Sequence, residues 1–215
     1  GSRDQKANIY KNLDLVSGNL DIKKENLILM NQTHSNKVVL VDNKNKGRIL
    51  ADGLVTKEKG LALCVLTADC VPIILYDEMN QTIGCIHAGW RGSINGIIKN
   101  VVDKFKELNI ENRIFAAVGP CIGKMSYEVG TEFYEFFLKE SPKNKKFFLK
   151  KSNNFFLFDI RKYVINKLND SGVVNVDNVE IDTFKNSENF FSYRRSQKLG
   201  EPDYGRCIST ICLKI

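Results

Sequence analysis

The sequence has only two histidines and one tryptophan among its 215 residues, and it lacks long apolar runs. No stretch approaches the roughly 20 apolar residues that a membrane helix needs, so we predict no membrane partner. The sequence contains neither a Walker A loop nor a Gly-x-Gly-x-x-Gly run, which argues against P-loop nucleotide triphosphatases and Rossmann enzymes. It also lacks local metal-binding pairs such as Cys-x-x-Cys or His-Glu-x-x-His.

The charge balance is basic, with 32 lysines and arginines against 25 acidic residues and a net charge of +7. Many of the lysines fall in loop-like runs such as 43–46 and 143–151, and such runs are usually solvated faces. We therefore predict no nucleic-acid partner. Attraction of small anionic ligands is the milder implication of this charge.

Six cysteines are present, and no secretory signal is visible. A chain of this length does not need disulfides to hold its core, so we predict a reducing, cytoplasmic setting. Cys64 and Cys85 lie inside apolar runs, where a free cysteine behaves as a small hydrophobe. Cys70 and Cys121 differ from them, because each stands in a turn beside Asp or Gly-Pro.

Strand-like and helix-like segments alternate, which predicts one mixed α/β domain over residues 1–215. Apolar runs predict strands at 27–30, 37–41, 54–56, 61–66, 82–86, 114–118, 173–181 and 208–213, and a strand or short helix at 71–76. Helical spacing predicts a helix from Ser93 to Leu108 with Ser93 as its N-cap. Further helices are predicted at 130–139 and 160–169, and a basic loop at 143–152.

Three side chains with metal-binding chemistry stand at the ends of apolar runs: His34, Cys70 and His87. Imidazole and thiolate groups both bind zinc well. Structural zinc usually takes four ligands from close pairs, whereas catalytic zinc often has three ligands and an open position, so three dispersed candidates favour a catalytic site. Two alternatives stay open: ordinary histidines without a metal, or a Cys70 nucleophile with His87 as its base.

The turn after His87 suggests an anion site. Gly89 and Gly92 allow a tight bend before the predicted helix, whose first amides and positive dipole end would attract an anion, with Arg91 adding a charge. Trp90 would cover a cavity, stack on a ring or pack in the core, and the sequence does not choose between these roles.

Several of these stretches resemble motifs of the YfiH/YlmD family, also called the laccase-domain or polyphenol oxidase family. They are Asn31–Ser35, Ala51–Gly53, Thr67–Pro72, His87–Gly92, Gly119–Gly123, Tyr127–Gly130, Phe191–Arg195 and Gly205–Arg206. The resemblance runs from about residue 31 to the C-terminus in the family's order. The family's N-terminal Thr-Arg-x-Gly-Gly-Val-Ser-like turn is only faintly echoed around Arg3, and Cys121 replaces a small residue of many relatives.

The resemblance implies a layered α/β/β/α sandwich with mixed sheets and one active site. It also implies zinc bound by His34, Cys70 and His87. Family members are described as purine nucleoside enzymes that combine phosphorolysis of adenosine, inosine and methylthioadenosine with adenosine deamination. Earlier descriptions made them copper-dependent polyphenol oxidases, and one branch is linked to editing of peptidoglycan precursors.

We therefore expect a zinc-dependent purine nucleoside phosphorylase that also deaminates adenosine, as a monomer or weak homo-oligomer. The expected catalytic residues are Asp69, Cys70, His87 and Arg91, and the expected substrate-binding residues are Gln32, Trp90, Arg194 and Arg195. Asp69 would support a histidine or carry a proton. Arg194, Arg195 and Arg206 would contact phosphate or brace the fold. A copper oxidase and a Cys-His hydrolase are the alternatives.

Overall fold

The computed structural model describes residues 3–45, 47–109 and 111–214. Its α-helices are α1 (Lys6–Leu20), α2 (Trp90–Ile94), α3 (Ile97–Leu108), α4 (Thr131–Glu140), α5 (Ile160–Asp170) and α6 (Tyr193–Leu199). Its strands are β1 (Leu27–Asn31), β2 (Val38–Leu40), β3 (Arg48–Leu50), β4 (Gly53–Thr56), β5 (Ala62–Thr67), β6 (Val71–Asp77), β7 (Thr82–Ala88), β8 (Ile114–Val118), β9 (Glu128–Gly130), β10 (Phe148–Lys150), β11 (Phe155–Phe158), β12 (Asn175–Asn178) and β13 (Cys207–Cys212). Short 3₁₀ helices cover Lys24–Asn26, Lys124–Ser126 and Pro142–Phe147.

Two mixed sheets carry the fold. The larger has six strands in the order β12-β8-β6-β7-β4-β2, and the smaller has four in the order β13-β5-β1-β3. Strand β7 is buried along its whole length, as expected for a strand covered on both faces. A separate antiparallel sheet of β10, β11 and β9 lies beside them.

Three hydrophobic clusters lie between successive layers and show that the fold has four layers. Leu13, Val16 and Leu20 of α1 pack on the outer face of the four-stranded sheet. A second cluster fills the space between the two sheets, and the third joins the six-stranded sheet to α3, α4 and α5. The order helix, sheet, sheet, helix confirms the predicted α/β/β/α sandwich with mixed sheets.

The predicted helix from Ser93 to Leu108 is wrong at its start. The chain forms two helices there, because Gly96 adopts a left-handed backbone with φ of +90° between α2 and α3, a conformation that glycine reaches at little cost. Gly89 precedes α2 as its N-cap, so Ser93 is not a cap. The apolar stripe of α3 is confirmed, with five of its residues buried against the larger sheet.

Other boundaries also differ from the predictions. The predicted basic loop at 143–152 contains a 3₁₀ turn and strand β10, and only Asn175–Asn178 of the predicted strand at 173–181 is a strand. Helices α1 and α6 and strands β3, β9 and β11 were not predicted. Within the described residues, no helix combines the length and apolar character required to cross a membrane.

Candidate metal centre and the adjoining cavity

Three connections deliver the predicted ligands to one place. His34 follows β1, Cys70 lies in the turn between β5 and β6, and His87 is near the end of β7. Their ligand atoms all lie within 4.8 Å of one another. Cys70 Sγ is 3.6 Å from His34 Nε2, and the two imidazole centroids are 4.7 Å apart. The expected convergence of these three side chains is therefore present in the structure.

Asp52 positions two of the three side chains and was not among the predicted site residues. It is fully buried, and its Oδ1 accepts a hydrogen bond from His87 Nδ1 at 2.8 Å. Because a carboxylate only accepts, Nδ1 carries the proton and Nε2 of His87 is free to bind a metal. The stretch Ala51–Gly53 resembles a family motif, but the sequence does not indicate which side chain its aspartate contacts.

The same carboxylate holds the loop of His34. It accepts hydrogen bonds from the backbone amides of Thr33, His34 and Ser35 at 2.8 to 3.1 Å, and from the Ser35 hydroxyl. His34 has a left-handed backbone with φ of 60°, which is unfavourable for a residue with a side chain. The hydrogen bonds to Asp52 offset that cost and fix the direction of the imidazole.

Position 89 requires glycine because its backbone lies very close to two of the candidate ligands. A Cβ at this position would lie 2.5 Å from His34 Cδ2 and 3.2 Å from Cys70 Sγ. Any larger residue would displace a candidate ligand. Gly89 has an extended backbone and is the N-cap of α2, so the predicted tight bend is not found at this position and the need for glycine comes from the two candidate ligands.

The Cys70 thiol ionises readily, whereas His87 must give up a proton before it binds a metal. Burial raises the pKa of the Cys70 thiol, but the charge on His87 and hydrogen bonds from both histidines outweigh it and lower the pKa to about 6. Burial lowers the pKa of His87, but the Cys70 thiolate and Asp52 outweigh it and raise the pKa to about 9. The pair is a thiolate beside an imidazolium, and an arriving cation would displace the imidazolium proton.

The donor set fits a tetrahedral ion. With Zn–S of about 2.3 Å and Zn–N of about 2.1 Å, sulfur and nitrogen ligands would be about 3.6 Å apart, which matches the distance from Cys70 Sγ to His34 Nε2. No other His, Cys, Asp or Glu of the described residues joins the group. His34, Cys70 and His87 thus form a three-ligand group that could hold a metal ion.

A structural zinc site would need a fourth protein ligand, for which Cys121 and Asp69 are the candidates, and neither of them joins the group. Cys121 is fully buried in the core, and burial raises its pKa to about 12. Asp69 directs its carboxylate to three other donors: Thr183 Oγ1 at 2.7 Å, Ser192 Oγ at 2.9 Å and Arg194 N at 2.6 Å. A three-ligand set leaves a coordination position open, as in catalytic sites.

A cavity of about 530 Å³ adjoins the three side chains. Its walls include Gln32, Asp69, Trp90, Arg91, Ile122, Tyr127, Ile160, Tyr193, Arg194, Tyr204 and Arg206. This volume lies within the range of pockets that bind small organic ligands. The cavity combines aromatic rings with guanidinium groups, which suits a ligand that has a flat ring and an anionic group.

Three arginines line the cavity without a carboxylate partner. No ion pair among the described residues involves Arg91, Arg194 or Arg206. The Arg91 guanidinium lies 4.6 Å from the Trp90 ring centroid, and that of Arg206 lies 4.4 Å from the Tyr204 centroid. Their positive charge is therefore available to an anion in the cavity.

Arg195 does not line this cavity. Its guanidinium donates to the backbone carbonyls of Thr183, Phe184 and Phe190 at 2.5 to 2.9 Å. These bonds join residues 183–195 to one another. Of the two roles considered for this arginine, bracing the fold matches its contacts.

Asp69 ties the same segment to the turn that carries Cys70. Its backbone is left-handed with φ of 84°, and its buried carboxylate bonds Thr183, Ser192 and the amide of Arg194. None of its hydrogen bonds to other described residues involves a histidine, so its neighbourhood matches a positioning role for Arg194. The histidine-orienting carboxylate is Asp52.

Gln32 and Trp90 both line the cavity. The Gln32 amide exchanges two hydrogen bonds with the backbone of Leu66, donating at 2.7 Å and accepting at 2.9 Å. Trp90 packs edge-on against Phe133 at 4.9 Å. Trp90 therefore packs against the core and also forms part of the cavity wall.

The fold and this site define a class of α/β sandwich proteins in which a His-Cys-His group that could hold a metal ion lies beside an arginine-lined cavity. The chain belongs to the family described as multi-copper polyphenol oxidoreductase laccase, whose model matches residues 1–214.

Relatives and solved structures agree with this assignment. A purine nucleoside phosphorylase of Rickettsia prowazekii is 38% identical, with 97% of this chain and 86% of that protein covered. The purine nucleoside phosphorylase YfiH of Escherichia coli is 31% identical, with 86% and 74% covered. The crystal structure of the hypothetical protein YfiH of Bacillus licheniformis superposes with a TM-score of 0.91 at 26% identity, covering 99% of this chain and 84% of that one. The resemblance to the YfiH/YlmD family is thereby confirmed.

Proposed function

We propose that this protein is a zinc-dependent purine nucleoside phosphorylase. One observation carries the proposal: the His34, Cys70 and His87 group opens onto a cavity lined by three arginines that form no ion pair with the carboxylates of the described residues. Such a cavity offers separate places for a neutral ring and for an anion. The names of the relatives from Rickettsia prowazekii and Escherichia coli support the same activity.

Zinc is the metal that we propose for the three-ligand group. Two imidazoles and a thiolate suit it, and a reducing, cytoplasmic setting would keep Cys70 available. A multicopper centre needs more imidazoles than the two histidines of the whole chain. When bound, zinc would supply Lewis-acid chemistry and lower the pKa of a coordinated water to about 7.

The chain's own residues would bind and orient both substrates. Arg91, Arg194 and Arg206 would hold the phosphate oxygens, since guanidinium groups make paired hydrogen bonds to such anions. Trp90 would face the nucleoside, with Gln32 in the wall beside it. Asp69 would keep Arg194 in place through its amide, and Asp52 would keep His87 oriented.

The reaction would join a phosphate oxygen to ribose C1′ while the bond from C1′ to the purine nitrogen breaks. With hydrogenphosphate as the nucleophile, its proton ends on the departing purine, and the products are ribose 1-phosphate and the free base. Holding the two reactants together lowers the barrier by removing most of the cost of a bimolecular encounter. We also propose deamination of adenosine, with water adding at C6 and ammonia leaving.

A Cys-His hydrolase is a second candidate, favoured by the distance of 3.6 Å between Cys70 Sγ and His34 Nε2 and by a thiol pKa of about 6. Such an enzyme, for example one that edits a peptidoglycan precursor, would keep its activity after metal removal. It would lose activity when Cys70 is alkylated.

The deciding experiment incubates metal-analysed protein with adenosine and inosine, with and without phosphate. We expect free base and ribose 1-phosphate only when phosphate is present, loss of both after chelation, and recovery when zinc is added. Detection of neither product in the zinc-loaded protein would refute the phosphorylase. Activity that survives chelation would favour the hydrolase, and oxygen uptake with phenols by copper-loaded protein would favour the polyphenol oxidase.

A further inference from the structure

Tyr127 occupies a distinctive place in the cavity wall and was not among the expected site residues. Its ring packs against Phe158 and Phe133, with centroid distances of 5.6 and 6.2 Å. The Arg194 guanidinium lies over it at 5.3 Å. These contacts fix the ring between the aromatic core and the cavity.

Tyr127 lines the cavity beside Cys70, Arg91 and Arg194, and its hydroxyl makes no hydrogen bond to another described residue. Since Phe133 and Phe158 cover the ring from the core, the cavity is the space in which the hydroxyl can meet a ligand. A tyrosine hydroxyl in such surroundings usually finds a partner, and a ligand in the cavity can supply one.

We propose that Tyr127 is a catalytic residue whose hydroxyl donates a hydrogen bond to the purine as it leaves. This inference rests on the proposed phosphorylase function. As the bond to C1′ breaks, its electron pair moves onto the purine, which becomes negative until it gains the proton from hydrogenphosphate. A fixed donor aimed at that developing charge stabilises the transition state more than the ground state.

The test compares two substrates in wild-type protein and in the Tyr127→Phe variant. Inosine expels a base that becomes negative, whereas 7-methylinosine carries a positive charge and expels a neutral base. Removal of one such donor typically slows a reaction by about 100-fold. We expect Tyr127→Phe to lose about 100-fold in kcat on inosine and less than about threefold on 7-methylinosine.

The matched control is Tyr134→Phe, because Tyr134 stacks on Phe156 at 4.0 Å and does not line the cavity. It should match wild type on both substrates, and all three proteins should hold equal zinc and melt within a few degrees of one another. A Tyr127→Phe variant that melts far below Tyr134→Phe would show that the hydroxyl is bonded inside the protein, which would overturn the inference.

Two kinetic outcomes would also overturn it: no loss on inosine, or an equal loss on both substrates, because a packing or general binding role would affect both. Failure of the proposed function gives a different result. In that case the wild-type protein itself forms no ribose 1-phosphate from either substrate.

Discussion

The two walls of the cavity are built by different means. The ligand wall, formed by His34, Cys70 and His87, comes from connections at the ends of paired strands. The arginine wall, formed by Tyr193, Arg194, Tyr204 and Arg206, comes from the segment 183–206, whose only helix is α6. Strand ends place side chains through paired backbone hydrogen bonds, whereas side-chain bonds of Asp69 and Arg194 anchor the arginine wall to the neighbouring elements.

Each wall has its own buried carboxylate. Asp52 fastens the ligand wall through His87 Nδ1 and the amides of residues 33–35. Asp69 fastens the arginine wall through Thr183, Ser192 and the Arg194 amide. The backbone is left-handed at His34, whose amide donates to Asp52, and also at Asp69 itself. Loss of one carboxylate should therefore affect metal binding, and loss of the other should affect anion binding.

The largest effect is expected for His87→Ala in the ligand wall. The substitution removes one of three metal ligands and leaves Asp52 without its imidazole partner. We expect zinc content to fall far below one ion per chain and phosphorolysis to fall to background. Metal analysis and product detection measure both, and the Cys212→Ser variant serves as the control because Cys212 lies outside the group. Full zinc content in His87→Ala would contradict the assigned site.

A smaller effect on the same wall is expected for Asp52→Asn. Loss of a carboxylate that orients a metal-binding histidine usually lowers metal affinity by about 10- to 100-fold. Competition with a chromophoric chelator measures this affinity. Asp182→Asn is a matched control, because Asp182 also accepts from two amides and a hydroxyl but contacts none of the three ligands. Equal zinc affinities of the two variants would refute the role of Asp52.

For the arginine wall, we expect Asp69→Asn to raise the KM for phosphate by about tenfold with zinc content unchanged. An asparagine keeps one acceptor but loses the charge that strengthens the bonds to Ser192 and the Arg194 amide. Steady-state kinetics at varied phosphate, together with metal analysis, tests this expectation. If zinc were lost together with phosphate affinity, the two walls would not be independent.

The smallest effect is expected for the pH dependence of Cys70 reactivity in the metal-free protein. Because the Cys70 pKa is lowered to about 6, its thiolate is present above that pH and is lost as the pH falls through it. We expect iodoacetamide to label Cys70 a few-fold faster than an ordinary thiol at pH 7, since thiolates of low pKa are also weaker nucleophiles. Mass spectrometry across pH 5 to 8 measures the rate, and added zinc should suppress it. A midpoint near the ordinary pKa of about 8.5 would contradict the described environment.

Much of the fold follows from local patterns. The apolar runs of β5, β7 and β8 and the stripe of α3 predicted buried elements because burial of such side chains dominates folding. Helix α1 was not predicted, since it is partly exposed and only Leu13, Val16 and Leu20 contribute to a core. The break at Gly96 was missed because the apolar spacing continues across it. One domain over residues 1–215 remains a prediction.

The candidate site also combines features that the sequence determined with features that only the tertiary structure decided. The sequence by itself determined which residues could bind a metal, because only two histidines exist and few side chains have this chemistry. Only the tertiary structure decided which carboxylate serves His87, since Asp52 is 35 positions away while Asp69 is the closer residue in sequence. It also decided that Arg195 braces the segment 183–206 while Arg194 lines the cavity, and that Tyr127 faces the same space. The physical reason is that hydrogen bonds and close approach act over a few ångströms in space, and pairing of distant strands sets those distances.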